Sequence, residues 1–123
     1  MEKEKVIISM CSLGIPCQYR ARSFRKKIIY KFFGKYDLFP ICPEQLGGLP
    51  TPRCACHLEG NKVIGKDGKD YTNFYLNGAK KALKIAKMLG VKKAYLKNGS
   101  PSCGKQGITR KLFEKNGIKV CLI

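Results

Sequence analysis

Four short apolar runs divide the chain: KVIISM (5–10), DLFPIC (37–42), VKKAYLK (91–97) and IKVCLI (118–123). Each is too short for a stable helix and rich in β-branched or aromatic residues, as expected of buried strands. Between them the apolar spacing becomes helical. Ser23 is suited to cap a helix from Phe24 to Phe33, in which Phe24, Ile28 and Phe32 fall four apart, with Gly34 to close it. A longer helix is predicted from Asp70 or Thr72 to Leu89. It would bury Tyr75, Ala79, Ala82, Ala86 and Leu89 and turn Lys80, Lys81, Lys84 and Lys87 mostly outward. Gly90 supplies its stop, and a last helix is predicted over residues 109–116, ended by Gly117.

Strand and helix alternating in this way specify a parallel sheet with helices on its faces. The expected fold is α/β: a single Rossmann-like three-layer domain over residues 1–123, with a mostly parallel sheet of about four strands. Two connections stand apart. PEQLGGLPTPR (43–53) reads as irregular because proline and glycine break any regular element. KVIGKDGKDYT (62–72) predicts a small hairpin or turn around Asp67-Gly68.

Ligands of such sheets bind beyond the C-terminal ends of the strands. Three of the predicted strands run, at that end, into a loop with a cysteine: Cys11, Cys42 and Cys103. Cys103 lies in KNGSPSCGKQG (97–107), a bed of glycine, serine and proline. The chain has seven cysteines in all. Its charged start, MEKEK, is followed by too few apolar residues for a signal peptide, and no run approaches the roughly 20 residues of a membrane span. A cytoplasmic protein is therefore expected, in which a disulfide framework is not. Cys121, in KVCLI, reads as a core residue.

Three converging thiols suggest a metal. Structural zinc sites use closely paired ligands such as C-x2-C, and none of the three is so paired. An iron–sulfur cluster accepts ligands from separate loops. A four-iron cluster held by three cysteines leaves one iron open as a Lewis acid, as a catalytic zinc keeps an open position.

CSLGIPCQYRARSFR, FPICPEQLGGLPTPR, GKDGKDYTNFYLNGAKKAL and LKNGSPSCG, in this order, resemble the thiouracil desulfidase family over nearly the whole chain. The resemblance implies an α/β fold and a [4Fe-4S] cluster bound by three cysteines only. It also implies a non-redox reaction in which the thiocarbonyl sulfur of a thiolated pyrimidine is replaced by oxygen. Carried onto this chain, the ligands are Cys11, Cys42 and Cys103, with Cys17 of IPCQYR as the rival for a ligand position or a neighbour of the cluster. Glu44 matches the family's catalytic glutamate and Ser100 its catalytic serine, with Ser102 as the alternative. Glu44 is then the general base for an attacking water, and Ser100 positions the water or passes the proton.

The chain departs from the family pattern twice. Family members usually run from TPR into proline and alanine, but here the sequence is TPRCACHLEG. Cys54, Cys56 and His57 therefore form either a second metal site, substitute cluster ligands, or replacements for small residues beside a loop histidine. Arg53 is placed to contact an anionic or carbonyl group of the substrate. The usual glycine-rich insertion after Cys103 is largely missing, which predicts a more open pocket.

The net charge of +17 keeps two alternatives in view. One is an enzyme or binder acting on thiolated tRNA, with phosphate contacts from lysines such as Lys26, Lys27 and Lys80. The other is a metal-stabilised nucleic-acid-binding module without catalysis. Solvated lysine faces account for the same charge equally well.

Overall fold

The computed structural model describes residues 3–13, 15, 29–104 and 106–123. These form β1 (Glu4–Ser9), a single 3-10 turn (Met10–Ser12), α1 (Ile29–Phe32), β2 (Tyr36–Ile41), α2 (Pro43–Leu46), β3 (Cys56–Glu59) and β4 (Lys62–Gly65). They continue with α3 (Thr72–Leu89), β5 (Lys93–Leu96), α4 (Ile108–Lys115) and β6 (Lys119–Leu122).

The four strands read from the sequence make one sheet in the order β2-β1-β5-β6, and every neighbouring pair is parallel. Its centre, β1, buries Val6, Ile7 and Ile8 completely. Successive side chains of a strand point to opposite faces. Val6 and Ile8 accordingly pack with Phe32 of α1 and Tyr36, whereas Ile7 packs with Ala82 and Ala86 of α3 and Phe113 of α4. Helices thus cover both faces, giving the expected three layers. Of the helix predicted from Phe24, only the last turn falls within the described residues.

The α3 helix spans the predicted segment. The Asp70 carboxylate accepts the Thr72 N–H at 2.8 Å and satisfies one donor of its first turn. Gly90 takes the left-handed conformation, φ +71°, that ends it. Tyr75, Ala79, Ala82 and Ala86 are buried along its inner face, together with Gly78.

Three expectations are corrected. Residues 43–46 are not irregular but form the short helix α2, with Cys42 as its extended N-cap and Pro43 in its first turn, where a missing N–H costs nothing. The hairpin does not turn at Asp67-Gly68. It joins β3 to β4 through Gly60-Asn61, with Glu59 opposite Lys62 and Cys56 opposite Gly65. The two-residue Gly-Asn loop was masked because β3, CHLE, has too little apolar character to read as a strand. Asp67-Gly68 forms the next turn, closed by Gly68 N–H to Gly65 O at 2.9 Å. Cys121 lies on the outer strand β6 and is only partly buried, so it is not a core residue.

Glycine sets how α2 meets α3. A side-chain carbon on Gly78 would overlap the Pro43 carbonyl, and one on Gly47 would overlap the Phe74 carbonyl. The two backbones therefore touch directly, and α2 is seated over the first turns of α3.

Candidate active site

The C-terminal ends of β1, β2 and β5 open onto one cavity of ≈ 350 Å³. Cys11 follows β1, Cys42 follows β2, and Cys103 stands in the loop after β5. All three are buried and line this cavity. The strand ends are tied together, since Ser9 Oγ accepts the Lys97 N–H at 2.8 Å. Cys11 and Cys42 pack in one small cluster with Met10. Burial pushes the Cys103 thiol up to about 12. Hydrogen bonds from Ser9 and Ser102 pull it down, and the negative fields of Glu44 and Cys42 add to the rise.

Glu44, on α2, projects into the same cavity. Its Oε1 accepts two hydrogen bonds, from Arg53 Nε at 3.1 Å and from the Tyr75 hydroxyl at 2.8 Å. Its Oε2 faces the Ser100 hydroxyl at 3.4 Å. The Ser100 oxygen also accepts the backbone N–H groups of Ser102 (3.1 Å) and Cys103 (3.2 Å). Those two bonds leave the Ser100 proton to point at Glu44. Ser102 is placed differently: it is fully buried, its hydroxyl is 2.8 Å from that of Thr109, and it does not line the cavity. The loop then turns directly into α4, with Gly107 as its N-cap. A side-chain carbon on either Gly104 or Gly107 would collide with the backbone of Ser100 or Ser102.

Arg53 lines the same cavity and is engaged there by Glu44. Its side chain is 4 % exposed and its Nη1 is held by Pro50 O at 3.1 Å and Thr51 Oγ1 at 3.0 Å. Burial opposes its charge, but the Glu44 charge and hydrogen bond, with Cys42 and Tyr75, hold the guanidinium above its ordinary value. Sequence reasoning missed Tyr75 as a polar participant, because its position on the inner stripe of α3 marked it as core. The one available signal was Gly78, a glycine inside an otherwise strong helix, which marks a close packing contact.

Cys54 and Cys56 also line the cavity, but His57 does not. His57 alternates to the outer face of β3, is 57 % exposed and pairs with Glu59 at 3.0 Å. Cys56 packs against the cluster of Leu49, Val63 and Tyr75, and burial raises its thiol pKa. A metal centre made of Cys54, Cys56 and His57 is thus not formed. Cys17 lies outside the described residues.

Among the described residues no three His, Cys, Asp or Glu side chains are grouped to hold a single metal ion. The buried thiols Cys11, Cys42 and Cys103 instead surround a cavity, from three separate loops. Soft sulfur donors spaced around a volume, rather than about a point, suit a multi-iron cluster.

Residues 6–121 match the family model described as 2-thiouracil desulfurase. The chain belongs to that family. It is similar to a solved structure, the [4Fe-4S]-dependent thiouracil desulfidase TudS (DUF523Vcz), with a TM-score of 0.86 and 34% identity, covering 98% of this chain and 91% of that one. It is also 29% identical to the Bacillus subtilis (strain 168) protein YbbK over 140 residues, 94% of this chain and 93% of the relative. The desulfurase family and this neighbour share the α/β architecture described above.

Proposed function

We propose that this protein is a [4Fe-4S]-dependent desulfidase that converts the thiocarbonyl of thiouracil or a related thiolated pyrimidine to a carbonyl, releasing sulfide. The observation that carries the reading is a single cavity in which three buried cysteines face one hydrogen-bonded glutamate. Cys11, Cys42 and Cys103 would hold the cluster. When bound, it supplies an iron without a protein ligand, a Lewis acid for a soft thiocarbonyl sulfur.

The remaining chemistry falls to side chains of the chain itself. The substrate carbon gains an oxygen from water and loses its sulfur as hydrosulfide, so no electron is transferred. Glu44 acts as general base and takes a proton from that water. Ser100, whose proton points at Glu44 Oε2, holds the carboxylate and its water in register. Its two backbone bonds also fix the turn that presents Cys103. Ser102, engaged with Thr109, is a structural residue of that turn.

A free base is favoured over thiolated tRNA. Of the lysines named for phosphate contacts, Lys26 and Lys27 lie outside the described residues. Lys80 borders a second groove with Lys111 and Lys115, separate from the cysteine cavity. No helix among the described residues is long and apolar enough to cross a membrane. We place the reaction in the cytoplasm, where three thiols remain available as ligands.

The test is anaerobic reconstitution with iron and sulfide, followed by addition of 4-thiouracil. About four irons per chain are expected on cubane stoichiometry, with decay of the thiocarbonyl absorbance and matching sulfide release. A full cluster without turnover would redirect the substrate assignment to thiolated tRNA. One zinc and no iron would overturn the mechanism.

A further inference from the structure

We propose that Tyr75 is a positioning residue for this reaction: its hydroxyl, with Arg53, holds Glu44 Oε1 and leaves Oε2 as the oxygen that receives the proton. The proposal rests on Glu44 being the general base.

Tyr75 is 2 % exposed, and its ring is fixed among Leu49, Val63, Leu58 and Ile108. For that packing a phenylalanine would serve equally well. The hydroxyl is the feature packing does not explain, and it reaches Glu44 Oε1 at 2.8 Å. The two residues are 31 positions apart, so the bond depends on how α2 sits on α3. The direct backbone contact at Gly47 and Gly78 sets that seat.

The distribution of donors over the two carboxylate oxygens is unequal. Oε1 receives a charged guanidinium N–H at 3.1 Å and the Tyr75 O–H at 2.8 Å. Among the described residues Oε2 has only the Ser100 hydroxyl, at 3.4 Å. An oxygen that already accepts two strong bonds has little electron density left to offer a third proton. The lightly engaged oxygen is the better acceptor, and it is the one that faces Ser100. Burial, and then the Glu44 negative charge, push the Tyr75 phenol far above its ordinary value, so it stays a donor at physiological pH. A base must also be held within tens of degrees of its productive orientation. Two donors arriving from different elements, α3 and the loop after α2, prevent the carboxylate from rotating.

The experiment uses the reconstituted Tyr75→Phe variant on 4-thiouracil. With iron content equal to the parent's, kcat falls about 10- to 100-fold, the usual cost of misplacing a reacting group, while KM moves less than about twofold because the lost hydroxyl is bonded to Glu44. On a Glu44→Gln background the same change has no further effect. Tyr95→Phe, which removes a hydroxyl on the opposite face of the sheet, leaves kcat unchanged. A second readout needs no turnover: with 13C-labelled glutamate, the infrared difference between Tyr75→Phe and parent contains a shifted carboxylate band. An unchanged kcat at full cluster loading, or a flat difference spectrum, overturns the role of Tyr75. A parent with a full cluster and no turnover overturns the substrate assignment instead, and the infrared result still decides the contact.

Discussion

Two tyrosine hydroxyls leave the core of this protein on opposite faces of the sheet and meet very different partners. Tyr95, on β5, packs against Phe32 with ring centroids 4.4 Å apart and donates to the Tyr36 hydroxyl at 2.9 Å. Lys93 lies 5.4 and 5.8 Å from the centroids of the Tyr36 and Tyr95 rings. This cluster satisfies itself. Burial and then the Tyr36 bond raise Tyr95 to about 12, whereas the Tyr95 bond, against burial and with help from Lys35 and Lys93, lowers Tyr36. Tyr75 instead donates to a carboxylate that lines a cavity. The pair teaches that burial and residue type do not separate a structural hydroxyl from a working one. The partner does, and so does the open space beyond it.

The largest expected effect separates the two regions by their thiols. Serine at Cys11, Cys42 or Cys103 abolishes cluster binding, measured as iron per chain after reconstitution, because each change removes one of the three buried soft donors around the cavity. Cys121→Ser, on the far edge strand, retains full iron. Iron retained in any of the first three variants would remove that cysteine from the ligand set.

A smaller effect tests the seat of Glu44. Gly78→Ala forces a side chain into the Pro43 carbonyl, and overpacking of this kind costs about 1–3 kcal/mol. Chemical denaturation should show that loss, with turnover impaired as α2 lifts from α3. Unchanged stability would mean that the α2–α3 contact relaxes freely.

The smallest effect belongs to the self-contained cluster. Tyr95→Phe removes a hydroxyl pair contact worth about 0.5–1.5 kcal/mol and should leave turnover at the parent level. An activity loss there would erase the distinction between the two faces.

The sheet and the long helix were legible because their signals are local. β-Branched runs such as KVIIS suit buried strands, and Gly90 marks its helix end by a conformation few other residues adopt. The cysteine edge was legible from topology, since parallel strands bring their C-terminal loops together. The hairpin was not, because the polar strand Cys56–Glu59 gains its order from pairing with Lys62–Gly65 rather than from its own composition. Nor was the partnership around Glu44. Arg53 and Tyr75 reach it from 9 and 31 residues away, across a contact that only glycine permits. Arg53, read as a substrate contact, lines the cavity and is also the counter-ion of the glutamate.

The most direct test of the account is Glu44→Gln, compared with the parent after identical anaerobic reconstitution. The change keeps the shape of the side chain and removes the base. The prediction is an unchanged iron and sulfide content with turnover of 4-thiouracil lowered about 10²- to 10⁴-fold, the usual contribution of a general base. A variant that keeps both its cluster and its turnover would contradict the assignment of Glu44 as the group that activates water.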